Sequence, residues 1–313
     1  MTAALVRPPP LSLSRLLRDF PALAESLRGA ERAAATDAPV LILGEPGSGR
    51  STLARAFHAA SPRAAGPLVE VDPGAVPSTL FESELFGYRA GAFTGAQQAV
   101  EGRVARAEGG TLVLDHVEEL PLAVQPKLLR LLAERRYAPL GGTEVAADVR
   151  FLALGAEDLP RRVARKAFRA DLFYRLEVLV FRVPPLRERR ADLPAVLDAL
   201  LADLGERFGR RDPRLAPTAL AWMLEHPWPG NLRQLRNVLE RALILAGDDA
   251  SPEIAPLQPA RLDEERPCSL RDLEIEEIRK ALAYTRGHRG HAADLLGISR
   301  KALWEKRKRY GLR

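Results

Sequence analysis

The sequence predicts an α/β fold. A parallel sheet covered by helices comes first, a helical subdomain follows it, and a small all-α helix-turn-helix domain closes the chain. Three observations carry this expectation. Short apolar runs bounded by turn residues alternate with helical patterns, as in a doubly covered parallel sheet. A glycine-rich turn follows the first run and feeds a helix. Beyond Arg187 the spacing of apolar residues is helical, and a second helical stretch ends the sequence.

Taken in order, residues 1–16 read as a tail. Pro8-Pro9-Pro10 and the lack of a sustained apolar run argue against a signal peptide. The first strand candidate is Val40-Leu41-Ile42-Leu43, so no sensory domain is expected ahead of the α/β region. Later strands are expected at Leu68-Val69-Glu70-Val71, Thr111-Leu112-Val113-Leu114, Val149 to Leu154, and Leu179 to Val183. Leu193, Val196, Leu197, Leu200 and Leu201 then recur at helix spacing. Pro252, Pro256, Pro259 and Pro267 lie among polar residues and mark residues 248–268 as a linker.

The length of 313 residues allows two or three domains, and 46% hydrophobic residues suits a soluble protein. Cys268 is the lone cysteine, which excludes an internal disulfide and suits a reducing, cytoplasmic setting. No run approaches the roughly 20 apolar residues of a membrane span, so no membrane partner is expected. Residues 269–313 hold twelve Lys plus Arg against six Asp plus Glu and so carry the whole net charge of +6. A basic end of this kind suits a phosphate backbone, although a solvated charged helix gives the same count.

The glycine-rich turn is Gly44-Glu45-Pro46-Gly47-Ser48-Gly49-Arg50-Ser51. Placed between a buried strand and a helix, it aims backbone N–H groups and the helix dipole at phosphate. Downstream, Glu82-Ser83-Glu84-Leu85-Phe86-Gly87 precedes Gly91-Ala92-Phe93-Thr94-Gly95-Ala96. Together these strings resemble the AAA+ domain of NtrC-type activators of sigma-54 RNA polymerase. The resemblance implies an AAA+ P-loop domain over residues 17–186, a helical lid over 187–247 and a Fis-type helix-turn-helix over 269–313. It implies ATP with Mg²⁺ as cofactors and residues 44–51 as their cradle. It also implies that the loop from Gly91 to Ala96 touches the sigma factor. Gly91 and Gly95 permit a sharp excursion, and Phe93 and Thr94 offer a ring and a hydroxyl at its tip.

Several nucleotide-handling positions depart from the family pattern. Arg50 stands where the family has lysine; its planar fork can still pair with phosphate, but not from the same position, so weakened or altered nucleotide binding is expected. Ser51 replaces a usual acid but offers a hydroxyl to Mg²⁺. Gly109 to His116 resembles the Walker B string, with Asp115 expected to hold the Mg²⁺ shell. His116 replaces the glutamate that polarises water, and a lost general base costs about 10²- to 10⁴-fold. Asp72 replaces the asparagine that pairs with that glutamate. Either Asp72 orients His116 in a rebuilt acid–base pair, or both drifted once hydrolysis became dispensable. Ala156 ends the first sensor segment, where the family has asparagine.

Other strings match the family. Phe168 to Leu176 resembles the segment presenting arginine fingers to a neighbouring subunit, with Arg169 and Arg175 at the matching positions. Pro184-Pro185-Leu186-Arg187-Glu188-Arg189 follows it. Trp228-Pro229-Gly230-Asn231-Leu232-Arg233 resembles the second sensor, with Arg233 facing phosphate.

Leu273 to Leu282 reads as an amphipathic helix, and Gly287 to Trp304 as the helix-turn-helix. Ala293 allows close helix approach, Gly297 turns the chain and Ser299 caps the recognition helix. Arg300 and Lys301 are expected at the major groove, with Lys306, Lys308 and Arg309 on phosphate. Arg307 falls where the family often has leucine. His288 and His291 lack a third metal ligand and read as solvated or phosphate-facing. Fis-type readers act as dimers, so an inverted repeat upstream of a promoter is the expected DNA partner.

The expected function is sigma-54-dependent transcriptional regulation with ATP binding and impaired hydrolysis. A fully active ring ATPase, hexameric in the family pattern, and a non-hydrolysing antagonist or sensor subunit of a mixed ring are the alternatives.

Overall fold

The computed structural model describes residues 12–246, 253–254, 274–275, 277–278, 281–282, 285 and 288–310. The chain forms two compact units, Met1–Leu257 and Gln258–Arg313.

Five parallel strands build the sheet of the first unit: Val40–Gly44 (β1), Leu68–Val71 (β2), Thr111–Leu114 (β3), Arg150–Gly155 (β4) and Leu179–Val183 (β5). Their spatial order is β2-β3-β4-β1-β5. All five apolar runs read from the sequence are therefore strands, and the register follows from Leu41 opposite Ala153 and Val180, and Leu112 opposite Phe151. β1, β3 and β4 are buried along their length, as strands covered on both faces must be.

Successive side chains of a strand point to opposite faces, and the core divides accordingly. Val40, Ile42, Leu152, Leu154 and Phe181 face a cluster with Leu13, Leu53, Phe57, Val196, Trp228 and Leu235. Leu41, Leu43, Leu112, Leu114 and Phe151 face another with Phe81, Leu85, Leu128 and Leu172. The first face is thus covered by the N-terminal helices, the helix after the glycine-rich turn and the lid. The second is covered by helices Ser78–Phe86, Gln125–Glu134 and Ala170–Leu176. Each fully buried Leu or Phe contributes about 1.5–3 kcal/mol.

Two domain boundaries need correction. Residues 13–16, expected within a tail, belong to helix Leu13–Asp19, and Leu13 and Leu16 are buried in the core. Most of the expected linker, residues 248–268, lies outside the described residues. Glu253–Ile254, however, pairs in parallel with Arg214–Leu215 of the lid. The lid helices are Leu193–Phe208, Pro217–Glu225 and Asn231–Leu245.

The second unit packs Ile278, Ala281, Ala292, Ala293 and Leu303 into a small core. Helices Arg289–Leu295 and Arg300–Tyr310 flank a turn in which Gly297 has a φ of 64°. Among the described residues no helix is long and apolar enough to cross a membrane.

Candidate functional site

The strand order brings the C-terminal ends of β2, β3, β4 and β1 side by side. Asp72, Asp115, Ala156 and the 44–51 turn leave from those four ends, the edge where open α/β sheets place ligands. Helix Arg50–Ala59 starts there, so its unpaired N–H groups face the same crevice.

The turn is gripped from the lid side. Arg187 forms a forked pair with Glu45, at 2.8 and 2.6 Å. Arg189, itself buried, donates to the Ser48 carbonyl at 2.6 Å. The Asn231 amide donates to Glu45 Oε2 and to the Pro46 carbonyl, while its Oδ1 accepts from Leu186 N–H. The Leu232 N–H donates to the Gly47 carbonyl at 3.0 Å. Gly47 has a φ of 75°, and a Cβ there would lie 2.7 Å from the Gly230 carbonyl oxygen. Arg187 holds the Glu45 carboxyl below its usual range, with the Asn231 amide adding to the effect against partial burial.

At the crevice floor Ser51 Oγ donates to Asp115 Oδ2 at 3.2 Å, and the His116 N–H donates to Oδ1 at 2.9 Å. Arg50 is turned inward: its Nη1 donates to the Gly44 carbonyl at 2.9 Å, and its Nη2 lies 4.0 Å from Asp115 Oδ1. His116 adopts a left-handed backbone, φ 46°. Its Nδ1 lies 3.2 Å from Asp72 Oδ1, an oxygen that also accepts from Gly74 N–H.

Ala156 brings only a methyl group to the end of β4. Its N–H donates to the Glu118 carboxylate at 3.1 Å, and Glu118 is buried. Arg233 is exposed and makes no ion pair among the described residues. Arg169 and Arg175 are also exposed. Arg169 is forked onto Asp171 at 3.0 and 2.7 Å, while Arg175 reaches the Leu132 carbonyl at 3.3 Å.

The segment from Gly91 to Ala96 is a closed excursion. Gly91 N–H bonds the Ala96 carbonyl at 2.8 Å, and both glycines have positive φ. Ala96 is buried at the base, whereas Phe93 is 45% exposed and Thr94 is exposed. The Phe93 ring leans on Tyr88, with centroids 4.9 Å apart. A second loop braces this one: Arg89 N–H bonds the Leu140 carbonyl, Leu140 N–H bonds the Gly87 carbonyl, and Gly141 abuts Ala92.

In the second unit Ser299 Oγ accepts from Ala302 N–H at 3.1 Å, the expected cap. Arg300, Lys301, Trp304, Lys308 and Arg309 are exposed on the following helix, and Lys308 Nζ lies 5.3 Å from the Trp304 ring centroid. Lys306 departs from expectation. It pairs with Glu274 of the same unit instead of standing free toward phosphate. Its half-buried position leaves the ammonium needing that carboxylate. Arg307 Nε is buried without a hydrogen-bond partner, a cost of placing arginine where a leucine would pack. His288 and His291 stack at 4.2 Å, and among the described residues no group of three or more metal-ligating side chains occurs.

Comparison with known proteins matches these parts. A Sigma-54 interaction domain model matches residues 16–182, an AAA+ ATPase lid domain residues 187–269, and the Bacterial regulatory protein, Fis family, residues 269–310. The chain belongs to the sigma-54 activator family. Within that family it is 43% identical to the alginate biosynthesis transcriptional regulatory protein AlgB of Pseudomonas aeruginosa, over 93% of this chain and 66% of AlgB. It is 38% identical to the regulatory protein AtoC of Escherichia coli, over 95% of this chain and 68% of AtoC. The chain thus spans about two thirds of the length of these curated relatives. Crystal structures of NtrX from Brucella abortus, one in complex with ADP and one with ATP, superpose with a TM-score of 0.71. Their identities are 34% and 33%, over 93% of this chain and 68% of NtrX.

Against the sigma-54 activator pattern the crevice fits a nucleotide but fits Mg²⁺ poorly. The two expected oxygen donors, Ser51 and Asp115, do converge. The guanidinium of Arg50, however, lies 4.0 Å from Asp115 Oδ1, where like charge would oppose a dication. Sequence reasoning also missed the grip of Arg187, Arg189 and Asn231 on the turn, and the contact of Glu118 with Ala156. The strings around Arg187 and Asn231 were legible as family matches, but their partners lie more than a hundred residues away.

Proposed function

We propose that the protein is a DNA-bound transcriptional regulator that presents a nucleotide-controlled loop to sigma-54 RNA polymerase. Phe93 carries this reading: the ring leans on Tyr88 yet is held 45% exposed on a loop between two glycines of positive φ, where it is offered to a partner. ATP or ADP binds at the 44–51 turn. The lid senses it through Arg233 and through the bonds of Arg187, Arg189 and Asn231 to that turn. Arg169 and Arg175 face a neighbouring copy in a ring. The basic helix after Ser299 docks a dimer on an inverted repeat upstream of a promoter.

Hydrolysis is impaired in this reading. Ala156 offers no side-chain hydrogen bond to phosphate or water, and His116 brings an imidazole where the resemblance places a carboxylate. These groups act as a unit, so their costs do not multiply. The protein then serves as a nucleotide-set antagonist, sensor or mixed-ring subunit. A hydrolysing reading is favoured by one observation, the 3.2 Å approach of His116 Nδ1 to Asp72, which suits an oriented base.

Three measurements on purified protein test this. They are ATP turnover, nucleotide affinity, and cross-linking from position 93 to sigma-54 polymerase on promoter DNA. Slow turnover with retained cross-linking is expected. Turnover matching an intact family member rules out impairment, and absence of cross-linking with nucleotide and DNA bound rules out the polymerase contact.

A further inference from the structure

Arg50 opens a helix at the rim of a phosphate-binding turn, yet it is only 6% exposed. Its guanidinium folds back over the crevice floor. One nitrogen donates to the Gly44 carbonyl at 2.9 Å, and another stands 4.0 Å from Asp115 Oδ1. The Asp115 carboxylate is further held by the Ser51 hydroxyl and the His116 N–H. A fixed positive charge therefore already sits beside the one acid that a divalent ion would need.

Guanidinium suits this place better than ammonium does. It is planar, weakly hydrated and permanently charged, and its five N–H donors leave several over after the Gly44 bond. Those remaining donors match phosphate oxygens in forked geometry. A divalent ion beside Asp115 would stand next to like charge, because the guanidinium already lies 4.0 Å from Oδ1.

We propose that Arg50 is the built-in cation of this turn. It balances Asp115 and pairs with the phosphate oxygens of a nucleoside diphosphate or triphosphate, so that nucleotide binds without a divalent metal. This rests on the nucleotide-binding reading above.

Fluorescence polarisation of a labelled ADP with the full chain tests it, in excess Mg²⁺ and in EDTA. Wild-type affinity is expected to agree within about two-fold between the two buffers. Arg50→Lys is expected to bind at least about ten-fold more weakly in EDTA than in Mg²⁺, because a point charge on a flexible stem needs the metal's help. Arg50→Met, which keeps the stem and removes the charge, is expected to lose binding in EDTA and recover part of it in Mg²⁺. Circular dichroism melts confirm that each variant is folded, and the wild-type comparison stands even where a variant is not. A wild-type protein that loses about ten-fold in affinity on metal removal overturns the proposal while leaving nucleotide binding intact. Failure to bind in either buffer overturns the nucleotide reading itself, and the proposal with it.

Discussion

His116 Nδ1 lies 3.2 Å from Asp72 Oδ1, across the gap between the ends of β3 and β2. Both stand where the resemblance implies a switch pair, and they lie within hydrogen-bonding reach of each other. Asp72→Ala is expected to lower residual ATP turnover by about ten-fold or more, since it removes the group orienting the imidazole. A steady-state phosphate-release assay measures this. Unchanged turnover would remove the pair from any hydrolytic role.

Restoring the family residues should restore chemistry. The combined change Arg50→Lys, His116→Glu, Ala156→Asn is expected to raise turnover by about 10²-fold over wild type. Single reversions are expected to do far less, because the three groups act on one transition state. The same assay, run beside thermal melts, separates catalysis from folding.

Phe93→Ala is expected to abolish cross-linking to sigma-54 polymerase while leaving ADP affinity unchanged. Phe93 is half exposed and touches Tyr88, so its loss should cost under about 1 kcal/mol of stability. A melting shift larger than that would mean the ring supports the fold.

The Glu45–Arg187 pair makes the lid contact acid-sensitive. Arg187 lowers the folded-state pKa of Glu45 below its ordinary 4.5. The stabilisation is therefore complete above that ordinary value and is lost as pH falls through the lower folded one. The pair is partly exposed, so about 0.5–1 kcal/mol is at stake. Glu45→Gln is expected to lower the melting temperature at neutral pH and to flatten its decline on acidification below pH 4.5. Parallel declines in wild type and variant would assign the acid effect elsewhere.

On the DNA-binding helix, Arg300→Ala is expected to relax sequence selectivity by about 1–3 kcal/mol. Lys308→Ala is expected to weaken all sequences alike and to reduce the slope of affinity against salt by about one. Titrations against selected and random duplexes at several salt concentrations distinguish the two roles.

What the sequence disclosed, and what it hid, follows from the range of each interaction. The five strands were legible because each is a short, mainly apolar run bounded by turn residues. Gly297 and Ser299 were legible because a positive φ and a helix cap are local demands. Helix Leu13–Asp19 was missed although Leu13, Leu16 and Leu17 have helix spacing, because it is only seven residues long and its burial depends on distant parts of the core. The Lys306–Glu274 pair was hidden because it depends on how two helices lie against each other. The inward turn of Arg50 was hidden too. The string showed an arginine for a lysine, and only the fold shows the Gly44 carbonyl and Asp115 waiting for it.

Gly47 and Gly230 approach so closely that even one added methyl group at position 47 would strike a backbone oxygen 2.7 Å away. Nothing compressible separates the two segments there. Any tilt of the lid must be felt immediately by the turn beneath it, and any reshaping of the turn must be felt by the lid. The two behave as one lever with no slack at its pivot.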